Sequence, residues 1–325
     1  AAAGQLSPVL QSALDSELAF LQALCGLTLD KLFQTAYSEQ SQRPELAFLP
    51  RWETRELDLA AAYTQRMSEV GKKGYGMFAK HHVFTVENSH LVPVKYPDPQ
   101  KLSELPGYEQ EREKVIANTR ALLTGMPANN VLLYGDAGTG KSSTVKAVAN
   151  EFADRGLKII QMEPRHIPCF PQLFQQTLRS PFRFILFLDD LSFSREDRNF
   201  AALKAFIEGG LAGKPANLVI YATSNRRHLI RESMADRQGD DVRVRDTLET
   251  VTSLSDRFGL EITFSVPDKD EYLYIVEQLA DESGLKLDRD ELHLLAERFA
   301  LRRNGRSPRT ARQFISQQLA EQYGN

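Results

Sequence analysis

The residues best suited to chemistry lie near the middle of the chain, in a glycine-rich run that ends in a lysine and serines. The run consists of Gly135, Asp136, Ala137, Gly138, Thr139, Gly140, Lys141 and Ser142, and Ser143 follows it. Glycines tolerate positive φ, which lets successive backbone N–H groups face one anion. The spacing G-x4-G-K-S is that of a phosphate-binding P-loop, whose lysine reaches the β and γ phosphates and whose serine ligates Mg²⁺. We predict that residues 135–143 bind the phosphates of ATP and that Lys141 also assists catalysis.

An acidic pair, Asp189 and Asp190, follows the apolar run at residues 184–188. By itself, such a pair is more often a helix N-cap or a turn. Downstream of a P-loop, the pair is typical of a Walker B site, where one carboxylate holds Mg²⁺ through water and the other orients or deprotonates the attacking water. We predict that Ser142 and Asp189 hold the magnesium, at the end of a strand that neighbours the P-loop strand, and that Asp190 is the catalytic base.

Five short apolar runs have the pattern of strands that could position these groups. They occupy residues 131–134, 157–162, 184–188, 218–222 and 260–264. Because the runs lack polar alternation, we expect strands that are buried on both faces of a parallel sheet and covered by helices. Weaker β-type runs precede them near residues 83–86 and 91–94. Three helical segments follow, near residues 269–282, 288–301 and 308–323.

The N-terminal part of the chain has a helical pattern. Apolar residues recur at helical spacing between residue 8 and about residue 37, and a second amphipathic stretch covers about 51–70. We therefore predict an N-terminal helical accessory domain over residues 1–90, an α/β nucleotide-binding core over 91–266 and a C-terminal helical lid over 267–325. The GKKGYG segment at 71–76 is interpreted as a linker turn, with a phosphate or nucleic-acid contact as the alternative.

Composition is that of a folded globular protein. Charged residues make up 26% and apolar residues 42% of the 325 residues, close to globular averages. This length predicts two or three units. The formal net charge of −3, from 40 basic and 43 acidic residues, gives no support for a nucleic-acid surface, although it does not exclude one.

Cysteine and histidine spacing argues against a metal held by nitrogen or sulfur. Cys25 and Cys169 form no CxxC pattern, and the six histidines show no ligand spacing. Two isolated cysteines suit a reducing compartment. The first basic residue is Lys31, which is unlike a secretory leader, and no apolar run approaches the roughly 18 residues of a membrane span. We expect a cytoplasmic protein without membrane contact.

Four further motifs, in a fixed order, resemble those of the AAA+ ATPases over about residues 91–320. LPGYE at 105–109 resembles the box that contacts adenine, and YATSN at 221–225 resembles the sensor 1 strand. LSDRFG at 254–259 resembles the arginine-finger box, and SPRTAR at 307–312 resembles sensor 2. The resemblance implies that Asn225 lies beside the γ-phosphate, that Arg257 is the finger and that Arg309 binds nucleotide. Taken singly, the three fit a turn residue, a surface cation and an ordinary helix residue.

The same stretches look like a bacterial AAA+ family of unknown function, so the resemblance implies a fold and nucleotide chemistry but no substrate. The implied fold class is α/β: a three-layer P-loop NTPase core with a parallel sheet, a C-terminal helical lid and an N-terminal helical region. The implied activity is a magnesium-dependent ATPase that remodels or loads a macromolecular partner. In that family the finger acts on a neighbouring subunit's ATP, which implies a homo-oligomer through Arg257 in trans. The N-terminal helices are the candidate surface for an unknown protein partner.

One residue departs from the AAA+ pattern, since most motors of that class carry glutamate where Asp190 stands. Aspartate is one methylene shorter, and misplacing a base by about 1 Å costs on the order of 100-fold in rate. We therefore expect slow basal hydrolysis that awaits a partner. The Asp-Asp pair is also similar to that of helicase-loader and transposition ATPases. A switch or loader with little intrinsic hydrolysis, possibly DNA-associated, is thus the alternative.

Two other functional classes stay open. A P-loop kinase would need an acceptor pocket, for which the sequence has no motif, and a nucleic-acid-binding protein with accessory ATPase activity would show salt-dependent DNA affinity. The charged stretch at 226–249 mixes arginines with acidic residues. This mixture favours a solvated face, with a subunit contact or a nucleic-acid contact as alternatives.

Overall fold

The computed structural model describes residues 7–28, 57–178, 180–192, 198–208, 215–225, 257–303 and 305–323. The charged stretch at 226–249 and residues 254–256 of the finger box lie outside the described residues. The chain divides into two compact units, residues 1–73 and 74–325. None of the helices in the described ranges is long and apolar enough to cross a lipid bilayer.

Two helices make up the described part of the first unit, α1 (Pro8–Cys25) and α2 (Leu59–Lys73). Ser7 caps α1 by accepting a hydrogen bond from the backbone N–H of Leu10. The two helices are joined by a hydrogen bond of 2.9 Å from the Leu59 N–H to Gln22 Oε1. This unit accounts for the predicted N-terminal helical region.

The second unit contains a seven-stranded sheet and eight helices among its described residues. The strands are β1 (Val83–Glu87), β2 (His90–Pro93), β3 (Val131–Gly135), β4 (Leu157–Met162), β5 (Arg183–Leu188), β6 (Leu218–Ser224) and β7 (Leu260–Phe264). The helices are α3 (Met77–Lys80), α4 (Glu109–Thr124), α5 (Lys141–Glu151), α6 (Phe170–Leu178), α7 (Arg198–Ile207), α8 (Lys269–Ser283), α9 (Arg289–Arg302) and α10 (Pro308–Tyr323). The strand order is β2-β1-β4-β5-β6-β3-β7, and every pair is parallel except β1 with β2.

Helices cover both faces of the sheet, as the unbroken apolar runs predict. Alternate residues of β3 separate into two cores, with Leu132 in one and its neighbours Val131 and Leu133 in the other. The first core also contains residues of α6 and α7, and the second contains residues of α4 and α5. The predicted three-layer α/β core around a largely parallel sheet is therefore confirmed.

The unit boundary differs from the predicted one. The sequence places the end of the N-terminal domain after residue 90, whereas the compact units divide after Lys73. The reason is that β1 pairs in parallel with β4, and Phe84 and Leu91 are buried in the first core. Residues 83–93 therefore extend the α/β sheet by two strands.

The three C-terminal helices have a core of their own, built from residues such as Tyr272, Val276 and Phe314. Asp268 begins α8 with a capping box, in which its carboxylate accepts from the N–H of Glu271 at 2.9 Å. Gly284 ends the helix in the left-handed region. These caps fix where α8 starts and stops, and the three helices form the predicted C-terminal helical region.

The junction of β3 with β7 leaves no room for a side chain at Gly135. This residue has φ of 137°, and a Cβ there would lie 2.0 Å from the carbonyl oxygen of Phe264. We expect Gly135→Ala to reduce the free energy of unfolding by at least about 3 kcal/mol, since both strain and a backbone clash result. Gly284→Ala is the matched control, because Gly284 also has positive φ but no atom lies near its Cβ position.

Denaturant unfolding of both variants separates the two causes. The control should lose only about 1 kcal/mol, which is the cost of positive φ alone. Equal losses for the two variants would contradict the packing described for the junction.

Candidate functional site

The glycine-rich run lies between the end of β3 and the start of α5, so the predicted strand, loop and helix follow one another in space. Gly138 and Gly140 adopt φ of 84° and 94°, which glycine tolerates at low cost. The loop is braced internally, because Thr139 Oγ1 donates to the Asp136 carbonyl at 2.8 Å. The first N–H groups of α5 have no partner within the helix and carry its positive dipole end. This geometry suits an anion at the loop.

Lys141 is buried at the base of this loop. Its Nζ donates to the carbonyls of Gly135 and Asp136 at 2.8 and 2.6 Å and to Asn225 Oδ1 at 3.1 Å. Burial lowers the pKa of Lys141, while nearby carboxylates raise it and the Arg309 guanidinium lowers it further. The side chains of Lys141 and Arg309 thus place two positive charges in one partly desolvated cleft. Such a cleft favours a ligand with several negative charges.

The acidic pair follows β5 and faces the loop. Asp189 Oδ1 accepts from Ser142 Oγ at 2.5 Å and from Thr223 Oγ1 at 2.6 Å. Asp190 has φ of 52°, and its Oδ1 accepts from Asn225 Nδ2 at 2.7 Å. The side chains predicted to hold magnesium and to activate water therefore lie side by side.

The strand that carries this acidic pair is not the immediate neighbour of the P-loop strand. We expected β5 to lie beside β3, but β6 lies between them and pairs with both. Since the carboxyl ends of all three parallel strands meet at one edge of the sheet, Asp189 still reaches Ser142. The inserted strand adds Thr223 and Asn225 to the site.

Thr223 is a site residue to which the sequence analysis assigned no role. It is almost fully buried, donates to Asp189, and accepts the backbone N–H of Asp190 at 2.9 Å. Its hydroxyl therefore holds both members of the acidic pair in place. The signal in the sequence was a hydroxyl residue at the end of an otherwise apolar strand, two positions before Asn225.

The donors present fit a magnesium ion. Ser142 and Asp189 offer hydroxyl and carboxylate oxygens, which are the hard ligands that Mg²⁺ prefers. Among the described residues, no group of three or more His, Cys, Asp and Glu side chains converges as a ligand set. A pair of oxygen ligands without a full protein cage is the pattern expected when substrate phosphates and water complete the coordination.

The site opens into a cleft of about 920 Å³ between the core and the lid. The predicted site residues that line it are Ala137, Gly138, Thr139, Gly140, Lys141, Ser142, Ser143, Asp189, Asp190, Asn225 and Arg309. Gly135 and Asp136 contact Lys141 from the start of the loop. The volume lies within the usual range for sites that bind small molecules.

The lid touches the loop directly. The backbone N–H of Arg309, in the first turn of α10, donates to the Gly138 carbonyl at 3.2 Å. Just before α10, Arg306 forms a bidentate ion pair with Glu297, in which Nε and Nη2 donate to the carboxylate at 2.9 and 2.7 Å. The hydrogen bond from Arg306 lowers the pKa of Glu297. This pair holds the segment before α10 against α9 and so places Arg309 at the cleft.

The motif at residues 105–109 also contributes to the cleft, which Leu105, Pro106 and Tyr108 line. The Tyr108 hydroxyl donates to the Ser265 carbonyl at 2.5 Å, and its ring stacks on Phe264 with centroids 5.2 Å apart. Burial raises the pKa of Tyr108. These contacts hold the Tyr108 ring in place and give this part of the cleft an apolar surface.

Arg257 differs from the other predicted site residues that the structure describes, which either line the cleft or contact Lys141. Its Nη2 forms an ion pair of 2.8 Å with Glu208 Oε1, just beyond α7, and it does not line the cavity. The structure thus brings the loop, the acidic pair, Asn225 and Arg309 together and leaves the expected finger on the surface.

Comparisons with known proteins relate most of the second unit to one family. The family described as Protein of unknown function (DUF815) matches residues 78–322. Among solved structures, the chain is similar to the Thermotoga maritima RuvB Holliday junction branch migration motor, with 19% identity and a TM-score of 0.45. Two point variants of the same motor match with 19% and 16% identity and TM-scores of 0.46 and 0.47.

The RuvB match is partial in both directions. It spans 67% of this chain and 63% of the motor's chain, so the chain corresponds to less than two thirds of that protein. Because both the sequence identity and the TM-score are low, the activity and partners of RuvB are not assigned to this chain.

Removal of the Thr223 hydroxyl tests the network around the acidic pair. Thr223→Val keeps the side-chain shape but removes a donor to Asp189 and the acceptor for the Asp190 N–H. We expect the free energy of unfolding to fall by about 3 kcal/mol, because buried polar groups lose their partners. Thr223→Ser keeps the hydroxyl and should lose only about 1 kcal/mol, for one buried methyl group. A valine variant as stable as the serine variant in denaturant titrations would refute the role given to the hydroxyl.

Proposed function

Because the chain belongs to the DUF815 family, whose function is unknown, its activity has to be inferred from its own site, and we propose that it is a magnesium-dependent ATPase. The proposal includes coupling of ATP binding and hydrolysis to the remodelling or loading of a macromolecular partner. It concerns the second unit, which contains the whole cleft.

One observation carries the proposal. Three elements deliver complementary groups to one point: α5 provides Lys141 and Ser142, the acidic pair directly follows β5, and Asn225 directly follows β6. Hydrogen bonds of 2.5 to 3.1 Å link all of them. A structural turn needs neither a buried lysine nor adjacent carboxylates, whereas phosphoryl transfer uses a lysine on the phosphates, a carboxylate for the metal and a group that orients the nucleophile.

Each group has a defined task in this proposal. The loop and Lys141 bind the phosphate chain, while Ser142 and Asp189 hold the magnesium ion. The ion supplies charge neutralisation at the β and γ phosphates when bound. Asp190 accepts a proton from the attacking water, and Asn225 Nδ2 holds that carboxylate by a hydrogen bond. Arg309 adds a second cation from the lid, so that lid position and nucleotide binding depend on each other.

A second copy of the chain completes the site. Arg257 does not line its own cleft, which supports a role for its guanidinium at the phosphate of another subunit. A planar guanidinium can contact two phosphoryl oxygens at once, and such a contact stabilises the charge of the transition state. We therefore propose a homo-oligomer with shared sites. The N-terminal helices are the proposed contact for a protein partner.

A nucleotide-dependent switch with little intrinsic hydrolysis is the second candidate. The observation that favours it is the short Asp190 side chain, whose Oδ1 is held by Asn225 at 2.7 Å. A carboxylate held this way binds water less directly than a longer glutamate can. In this case ATP binding alone would assemble the complex with a partner, which includes a DNA-associated one.

Phosphate release as a function of protein concentration tests the ATPase with shared sites. The rate per subunit should rise with concentration, because the site needs a neighbour. Arg257→Ala should lower turnover by about 10³ to 10⁵ with a small effect on ATP affinity. Arg298→Ala, an exposed arginine on α9, is the matched control and should behave as the unmodified chain. A rate per subunit that is high and independent of concentration would contradict the shared site.

Asp190→Glu tests why hydrolysis is expected to be slow. The added methylene lets the carboxylate approach water, so we expect turnover to rise by about 10-fold or more. Asp190→Asn keeps the length and removes the base, and it should abolish turnover. Unchanged or lower turnover in the glutamate variant, at unchanged ATP affinity, would exclude side-chain reach as the limit.

A further inference from the structure

The ion pair between Arg257 and Glu208 is well placed to set the direction of the finger. Arg257 Nη2 lies 2.8 Å from Glu208 Oε1, and the two side chains are 36% and 39% exposed. Glu208 comes directly after α7 and is still attached to it, since its N–H donates to the Lys204 carbonyl at 3.0 Å. The backbone that carries the carboxylate is therefore attached to the end of α7.

Both backbones around the pair are anchored in the same core. Phe258 and Ile207, the residues next to Arg257 and Glu208, are 2% and 9% exposed and belong to one apolar cluster. Gly259 packs so closely on Asn129 that a Cβ there would lie 2.5 Å from Asn129 Oδ1. Because the backbone is held on both sides of the pair, the guanidinium changes position mainly by rotation about the side-chain bonds of Arg257.

Stability does not explain such a pair. A half-exposed ion pair contributes little to the free energy of unfolding, because water screens it and both long side chains lose rotamer freedom. We expect the pair to affect the orientation of the guanidinium more than the stability of the fold. A carboxylate bound to one edge of a planar guanidinium fixes the plane of the group and so the direction of its other N–H donors. A group that must meet a phosphate in another subunit gains from such preorganisation.

We propose that Glu208 is the positioning residue for Arg257 and directs its guanidinium toward the ATP site of a second copy of this chain. The inference rests on the proposed shared ATPase site and names a residue that acts through the finger. Glu208 does not touch the nucleotide of either subunit in this account. Its effect is therefore on turnover and not on ATP affinity.

Glu208→Gln tests the proposal, since glutamine keeps the side-chain length and removes the charge. We expect turnover to fall roughly 10-fold, because the guanidinium is less well aimed. Binding of a non-hydrolysable ATP analogue with Mg²⁺ should be unchanged. The double variant Glu208→Gln with Arg257→Ala should be no slower than Arg257→Ala alone. Glu87→Gln, an exposed glutamate of β1, is the matched control with unchanged turnover.

Mixed oligomers show in which subunit Glu208 acts. Lys141→Ala subunits have no functional ATP site but keep Glu208 and Arg257, so they can supply a well-aimed finger. Added in excess, they should raise the turnover of Glu208→Gln subunits toward the unmodified value, and a general folding defect would not respond in this way. Absence of rescue, or a Glu208→Gln variant that is as fast as or faster than the unmodified chain, would overturn the proposal.

The same mixtures separate this inference from the proposed function. If Arg257→Ala lowers turnover and is rescued by Lys141→Ala subunits while Glu208→Gln has no defect, the shared site stands and the positioning role fails. If Arg257→Ala leaves turnover unchanged, the shared site itself fails, and the inference fails with it.

Discussion

The carboxylate of Asp189 joins the three parts of the molecule on which the site depends. One of its oxygens accepts from Ser142 on α5 at 2.5 Å and from Thr223 on β6 at 2.6 Å, while its backbone continues β5. Asp189 is partly buried, and a carboxylate in such a place is stabilised by the hydrogen bonds that it accepts, so these contacts constrain the relative positions of the helix and both strands. The strand order places β6 beside β5, and α5 begins close to both strands. Ser142 and Thr223 can therefore both donate to the Asp189 carboxylate.

The lid depends on the same region through the backbone of the loop. Gly138 accepts a hydrogen bond from the Arg309 N–H, and a Cβ at Gly138 would lie 3.1 Å from the Arg309 Cβ. A change in the conformation of the loop when phosphate binds would therefore alter a direct contact with the first turn of α10. In the proposed function, this contact couples nucleotide binding at the loop to the position of the three C-terminal helices.

Much of this site could be predicted from the sequence because its parts are local. The loop at 135–143 combines a buried strand, glycines and a helix start within a few residues, and the apolar runs mark the core strands directly. Non-local features were less accessible. Nothing in the local pattern places β6 between β3 and β5, shows that β1 pairs with β4, or gives Thr223 its two partners. The pairing of Arg257 with Glu208 is also non-local, since 49 positions separate them.

The central claim is that this cleft binds ATP with magnesium through Lys141, Ser142 and Asp189. Calorimetric titration with a non-hydrolysable ATP analogue tests it most directly, in the presence and absence of Mg²⁺, for the unmodified chain and for Asp189→Asn. The account predicts saturable binding that Mg²⁺ strengthens by at least about 10-fold, and loss of that strengthening in the variant. Absence of saturable binding by the unmodified chain, or an equal Mg²⁺ effect in both proteins, would contradict it.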